Sequence, residues 1–199
     1  TGVFGFFIST DLFTMFMFYE VALIPMYLLI GVWGSGRKEY AAMKLTLMLM
    51  GASAFLLIGI LGIYYSAGGD TMNILELVKR DIPYDMQRLF FPLVFLGFGV
   101  LGALFPFHTW SPDGHASAPT AVSMLHAGVL MKLGGYGCFR VAMYLMPEGA
   151  AEWGNFFLVL TTISVVYGAF SAVVQTDLKY INAYSSVSHC GLVLFALLM

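Results

Sequence analysis

The sequence predicts an all-α fold, a polytopic bundle of about six to seven membrane-spanning helices. The first observation is composition: 60% of the 199 residues are hydrophobic, 16% are aromatic and only 10% are charged. Soluble domains average about 25% charged residues, so a soluble globular domain is nearly excluded. The second observation is that long apolar runs alternate with short polar segments. Both chain ends lie in apolar runs and no initiator methionine is present, so we expect a fragment of a longer membrane protein.

The charge balance and the cysteine count exclude several function classes. Nine Lys and Arg against eleven Asp and Glu leave a net charge of −2, so no nucleic acid is expected as a partner. Two cysteines can form neither a disulfide framework nor a four-thiolate site. His108, Asp113 and His115 match no zinc-ligand spacing, so no metal or cofactor site is predicted in this chain.

The first third of the chain predicts the end of one helix and two complete spans. Residues 1–10 form the helix end, and residues 12–33 form a span that carries Glu20. A short polar loop follows, and residues 41–66 form the next span, with Lys44 near its start.

The most polar stretch of the chain is 67–88, which contains seven charged residues. Apolar positions within 74–78 have helical spacing, which predicts a short amphipathic helix on the membrane surface. If consecutive spans cross the membrane in opposite directions, the loops at 34–44, 106–118 and 175–179 lie on one side and the segment 67–88 lies on the other. The small excess of Lys and Arg in the three loops favours the cytoplasm for their side.

The remaining chain predicts three more spans. Residues 89–107 are apolar and rich in glycine, and the polar segment 108–119 predicts an ordered loop that caps the bundle at the membrane surface. Residues 120–145 form a span that contains His126 and Lys132.

An acidic loop with Glu148 and Glu152 leads to a span over 155–176. Asp177 then has the residue type and position of an N-cap for a last helix, which begins near Lys179 and continues to the chain end.

Five titratable side chains in or near these spans are candidates for function. A charge at the centre of a span costs about 2.5–3.5 kcal/mol on insertion scales, and Glu20 and Lys132 lie too far from the helix ends to reach water easily. Lys44 and Lys179 lie near helix ends, where snorkelling or a solvated position is an equal alternative. His126, six residues before Lys132, is either a proton carrier or a satisfied core histidine.

Three long motifs carry a family resemblance over nearly the whole chain. These are FYEVALIPMYLLIGVWG (18–34), FPFHTWSPDGHASAPTAVSMLHAGVLMKLGGYGCFR (105–140) and QTDLKYINAYSSVSHCGLVL (175–194). Together they resemble the antiporter-like membrane subunits of respiratory complex I, above all the chain M type of NADH-quinone oxidoreductase, called subunit 4 in mitochondria. Mrp-type cation/proton antiporters and membrane-bound hydrogenase subunits share the motifs more loosely.

The resemblance implies an inverted-repeat fold in which each repeat contains one broken helix. Residues 1–145 would supply nearly all of the first five-helix repeat, and residues 153–199 the start of the second. The run 89–107 would be the broken helix, which agrees with its glycine content and with the link between discontinuous helices and ion sites.

The resemblance also implies roles for individual residues. Glu20 matches the essential buried glutamate of the family, Lys132 its central lysine, and Lys44 a lysine at the start of a helix. The family's broken helix usually carries a lysine that pairs with the glutamate, but Leu101 occupies that position here. His126 stands where several related subunits carry a titratable histidine, and we expect it to compensate.

The implied function is proton translocation coupled to electron transfer from NADH to quinone. The chain would be an enzyme subunit without a redox centre, and NADH, flavin, iron–sulfur clusters and quinone would bind partner subunits. Its partners would be other membrane-arm subunits and the lipid bilayer, in the bacterial cytoplasmic or mitochondrial inner membrane. An Mrp-type antiporter, a membrane-bound hydrogenase subunit, and a non-conducting structural subunit remain as alternatives.

Overall fold

The computed structural model describes all 199 residues, and its regular structure is entirely helical. Its ten α-helices are α1 Gly2–Ile8, α2 Leu12–Trp33, α3 Lys38–Ser66, α4 Ile74–Leu77, α5 Tyr84–Leu101, α6 Trp110–Ser117, α7 Thr120–Leu125, α8 Met131–Gly137, α9 Pro147–Val174 and α10 Leu178–Leu198. Two π-helical segments, His126–Leu130 and Cys138–Met143, follow α7 and α8 without a break. We call the continuous helix over residues 120–143 the composite helix.

The number of membrane crossings agrees with the sequence prediction. Four helices, α2, α3, α9 and α10, are long and apolar enough to cross a membrane. The α5–α6 pair forms a fifth crossing that is interrupted between Gly102 and Thr109. The composite helix forms a sixth, because its residues rise about 36 Å in total and a bilayer core is about 30 Å thick. With the seven-residue α1 beside these crossings, the predicted all-α bundle is confirmed.

Consecutive crossings alternate in direction, so the loops gather at two ends. At one end, Ser35 N–H donates to the Ser117 carbonyl at 2.8 Å, and the Lys179 ammonium reaches the end of α6. We call this the Lys179 end, and these contacts confirm that the three loop regions predicted on one side lie together. At the opposite, Glu152 end, Glu152 accepts a hydrogen bond from Tyr84 at 2.6 Å and pairs with Arg88 at 2.8 Å.

Two polar segments differ from their predictions. The amphipathic helix expected near 74–78 is the single turn α4, in which Ile74 and Leu77 are buried against the bundle. Glu148 and Glu152 do not lie in a loop, because α9 already begins at Pro147. Proline at the first helical position and acids in the first turns are favoured there, since they suit the unpaired N–H groups and the positive end of the helix.

The prediction of a surface loop over residues 108–119 is wrong for most of the segment. Most of it is α6, the second half of the interrupted crossing, and its side chains Trp110, Ser111 and His115 are fully buried. The interruption itself lies at Gly102–Thr109, at the end of the apolar run. Polar residues can be buried here because neighbouring helices supply partners, as when Trp110 Nε1–H donates to the Val100 carbonyl at 3.1 Å.

The composite helix crosses directly over this interruption. A Cβ atom on Gly134 would overlap the Gly102 nitrogen and would lie 2.6 Å from the Phe98 carbonyl oxygen. Gly137 likewise faces the Phe98 ring with no room for a side chain. Small residues let backbones approach closely in membrane bundles. The composite helix is therefore held in one register against the end of α5.

Candidate functional site

His126 occupies a slot between two aromatic rings of α6. Its ring stacks on Trp110, with centroids 5.2 Å apart and planes at 11°, and on His115, at 4.2 Å and 23°. Gly114 forms the base of the slot, because a Cβ atom there would lie 3.0 Å from His126 Cε1. The His126 side chain is fully buried. The second half of the broken helix therefore holds this histidine in a fixed orientation.

The stacked histidines have unused capacity for hydrogen bonds. His115 Nδ1 lies 2.8 Å from Ser123 Oγ, but His115 Nε2 and both ring nitrogens of His126 are buried without a partner. Buried polar atoms usually have a protein or water partner, so three unused nitrogens in one place are unusual. Each imidazole nitrogen can accept a proton when unprotonated and donate one when protonated. The pair is thus equipped to take up and pass on a proton.

His126 also begins a π-helical segment. Short π segments inside α-helices occur frequently at functional sites. The second π segment, Cys138–Met143, lies on the other side of Lys132, so the seven-residue α8 that carries this lysine has irregular backbone at both ends. No pattern in the sequence predicts either segment.

Lys132 lies near the middle of the composite helix and faces α10. Its Nζ donates to the Cys190 thiol at 3.4 Å, and both side chains line a cavity of about 160 Å³ with Gly102 and Met131. The sequence analysis places Lys132 correctly along the helix, but the side chain is exposed sideways in this chain instead of being enclosed by it.

Lys44 forms a partly buried ion pair that the sequence analysis does not predict. Its Nζ lies 2.6 Å from Asp113 Oδ2, with 23% of the lysine side chain and 29% of the aspartate side chain exposed. A polar cavity of about 380 Å³ opens beside Asp113 at the Lys179 end, between Arg37 and Asp177. The Lys44 ammonium is thus directed at α6.

Lys179 is also directed at α6. Its Nζ donates to the carbonyls of Ala116 at 3.3 Å and Ala118 at 2.9 Å. Asp177 caps α10 as predicted, because its side chain accepts a hydrogen bond from the Lys179 backbone N–H at 2.8 Å.

Glu20 stands apart from the other candidates. It lies on α2, and its Oε1 is buried without a hydrogen-bond partner. No hydrogen bond or ion pair joins it to His126 or Lys132. Leu101, at the position where the family resemblance places a lysine, is fully buried and ends α5. The structure leaves this carboxylate without a charged partner, as the leucine at position 101 predicts.

The remaining candidates make three side-chain contacts in the bundle besides those of Lys179. These are the Lys44–Asp113 ion pair, the stacked His115 and His126 rings, and the Lys132–Cys190 hydrogen bond. For each of these three contacts the sequence predicts one functional member, Lys44, His126 or Lys132, but not the contact with its partner, Asp113, His115 or Cys190. Asp113 and His115 lie two residues apart in a polar segment for which the sequence predicts a loop. Nothing in that segment indicates that either residue packs against other helices.

Comparison with protein families gives one match that covers almost the whole chain. Residues 9–199 match the family described as "NADH:quinone oxidoreductase/Mrp antiporter, TM". Among curated relatives, the chain is 42% identical over 194 residues to NAD(P)H-quinone oxidoreductase chain 4 3 of a Picosynechococcus species. It is 40% identical over 190 residues to NADH-quinone oxidoreductase subunit M of Rickettsia prowazekii. These alignments cover 97% and 95% of this chain but only 35% and 38% of the relatives.

Solved structures share the fold. The chain is similar to one in respiratory complex I from Thermus thermophilus with bound NADH, with a TM-score of 0.88 and 30% identity over 94% of this chain and 40% of that one. A chain of an archaeal membrane-bound sulfane sulfur reductase has a TM-score of 0.90 and 30% identity, over 98% of this chain and 40% of that one. A chain of the Mrp complex from a Dietzia species has a TM-score of 0.86 and 26% identity, over 99% of this chain and 37% of that one. The chain is thus an integral membrane protein with an antiporter-like fold.

Proposed function

The chain belongs to the NADH:quinone oxidoreductase/Mrp antiporter transmembrane family, and we propose that it is part of a proton-translocating subunit of an NADH:quinone oxidoreductase. The whole subunit would couple electron transfer from NADH to quinone to the pumping of protons. The identity to relatives named chain 4 and subunit M supports this choice within the family. The proposal covers the whole protein, of which this chain spans little more than a third of the length of those relatives.

The observation that carries the proposal is the series of titratable groups inside the membrane. An ionisable residue within a span is expensive, so such residues mark ion and proton pathways. Here an ion pair beside a polar cavity, two stacked histidines and a lysine in the middle of the composite helix lie on helices that cross the bundle. A bundle that only supported its neighbours would have no need of them.

We assign a role to each candidate residue. Glu20 holds a proton and responds to a neighbouring charge, and Lys132 passes a proton across the middle of the membrane. His126 bridges the two in place of the lysine that is absent at Leu101. Lys44 and Lys179 act at the Lys179 end, where the cavity beside Asp113 admits water.

The proposal assigns no redox centre to this chain. Its two cysteines cannot supply the four thiolates that a common iron–sulfur cluster needs. NADH, flavin, iron–sulfur clusters and quinone would bind partner subunits of the same complex. The other partners would be neighbouring membrane-arm subunits and lipid, in a bacterial cytoplasmic or mitochondrial inner membrane.

We also propose that the chain divides between two repeats of the family fold. Residues 1–145 would form nearly all of the first repeat, including the broken α5–α6 crossing. Residues 153–199 would begin the second.

Two other functions have specific support. The likeness to the Mrp complex and to the sulfane sulfur reductase favours an antiporter or another respiratory complex, which share this fold. Co-purification with flavin and iron–sulfur subunits would favour our proposal over an ion-driven antiporter. Leu101 favours a non-conducting structural subunit, because leucine can carry neither a proton nor a charge.

A first test is Glu20→Ala in the full-length, assembled complex. We expect most proton pumping and quinone reduction to be lost while assembly survives, because the acid has no structural partner to lose. Glu39→Ala is the matched control, since Glu39 is exposed on the first turn of α3. Pumping at the wild-type rate by Glu20→Ala would reduce Glu20 to a structural residue.

A further inference from the structure

We propose that Lys179 is a positioning residue that fixes the second half of the broken helix, and with it the stacked histidines, through hydrogen bonds to the end of α6. The inference rests on the proposed function, because it concerns the geometry of the same proton path. It gives Lys179 a different task from proton transfer: its ammonium serves as an anchor.

The contacts of Lys179 are those of a helix cap. The last carbonyls of an α-helix lack partners within the helix and carry partial negative charge, so a nearby cation stabilises them. Lys179 Nζ donates to two such carbonyls, at Ala116 and at the C-cap residue Ala118. The backbone of Lys179 is itself fixed by the Asp177 cap of α10. Through this lysine, the start of α10 therefore holds the end of α6.

The opposite side of α6 is held by α3. Lys44 pairs with Asp113 in the first turn of α6, so lysines from two different helices hold its two ends. Such anchoring matters because α6 has only eight residues and follows an interruption in the chain. Helices this short are not stable by their own hydrogen bonds, and their position depends on packing and tertiary contacts.

What α6 carries explains why its position matters. Trp110, Gly114 and His115 together form the slot that holds His126. If the end of α6 moved, His115 would move with it and the imidazole rings would separate. Proton transfer between groups is steep in distance, and a displacement of about 1 Å can cost a reaction on the order of a hundredfold in rate.

Replacement by arginine separates an anchor from a relay. Arginine is always charged in proteins and can donate to both carbonyls, but it cannot release a proton. Glutamine keeps a neutral donor, and methionine keeps only the length of the side chain. A relay lysine fails with all three replacements, whereas an anchor lysine tolerates arginine.

The experiment compares Lys179→Arg, Lys179→Gln and Lys179→Met in the assembled, full-length complex in membrane vesicles. We expect Lys179→Met to lower proton pumping about tenfold and Lys179→Arg to keep it within about twofold of wild type, with an unchanged pH profile. Lys179→Gln should fall between them. Lys38→Met is the matched control: Lys38 also donates to a carbonyl at a helix end, that of Val32, but that helix is long and carries no histidine slot.

A second measurement keeps the test independent of pumping. Hydrogen exchange of the amides in 110–118 should be faster in Lys179→Met than in Lys179→Arg or Lys38→Met, because α6 opens more readily without its anchor. Equal loss of pumping in Lys179→Arg and Lys179→Met would overturn the proposal, and so would unchanged exchange in Lys179→Met. If that variant does not assemble, the same comparison is made with Lys179→Gln. If Lys132→Met pumps at the wild-type rate, the proposed function fails, while the exchange result still decides whether Lys179 anchors α6.

Discussion

At the scale of single residues, the main question is what replaces the lysine that the family resemblance places at position 101. Leu101 is fully buried, and its side chain has no group that can bind a proton. His126 is buried in the adjoining helix and has two ring nitrogens without partners. Each ring nitrogen of an imidazole can accept a proton or donate one, so a histidine here is chemically able to carry a proton. The alternative is that water alone bridges the gap.

One pair of substitutions separates these alternatives. His126→Leu removes the proton acceptor, and we expect severe loss of pumping in the assembled complex. Adding Leu101→Lys to that variant restores a titratable group on the broken helix and should recover much of the pumping. If His126→Leu pumps normally, water carries the proton and the histidine relay is wrong, although the roles of Glu20 and Lys132 would stand.

At the scale of helices, the close packing of α8 against the end of α5 fixes the position of the composite helix, and with it the positions of Lys132 and His126. Gly134 makes this packing possible, since any side chain there meets the backbone of Gly102 and Phe98. Backbone atoms cannot move aside as a flexible side chain can. If a side chain is introduced at Gly134, we therefore expect the composite helix to shift as a whole.

Gly134→Ala should therefore weaken the bundle. Overpacking of a well-packed site typically costs about 1–3 kcal/mol, and we expect a lower thermal midpoint for the solubilised complex or a lower yield of assembled subunit. Gly51→Ala on α3 is the control, because a Cβ atom there meets nothing within 4 Å. That variant should be neutral or slightly stabilising, since alanine favours helix more than glycine by about 1 kcal/mol. Equal behaviour of the two variants would contradict the packing argument.

The helices also show which structural features the sequence can predict. The bounds 12–33 are predicted correctly because the apolar run has the length of a membrane span and polar residues interrupt the chain on both sides of it. The helix α6 is missed because its residues are polar, and their burial depends on partners from α3, α10 and the composite helix. Long-range contacts of this kind, such as Lys44 with Asp113, have no local signature. No pattern in the sequence predicts the π segments.

At the scale of the whole molecule, the polar groups lie inside and the outer surface is apolar. Many large hydrophobic side chains point outward, among them Phe4 at 78%, Phe170 at 71% and Val173 at 82% exposed. Lipid or neighbouring helices can cover such a surface at no cost in hydrogen bonds, because helices satisfy their own backbone groups. The charged exception in the middle of the membrane is Lys132, beside a lateral cavity that it shares with Cys190.

The central claim is that this chain conducts protons, and replacement of Lys132 tests it most directly. Proton pumping and quinone reduction would be measured together in vesicles that contain the assembled complex. The account predicts that Lys132→Met and Lys132→Arg both lose most pumping, because methionine holds no proton and arginine cannot release one. Pumping at the wild-type rate by Lys132→Met would contradict the claim, and full pumping by Lys132→Arg alone would make Lys132 a fixed charge and not a carrier.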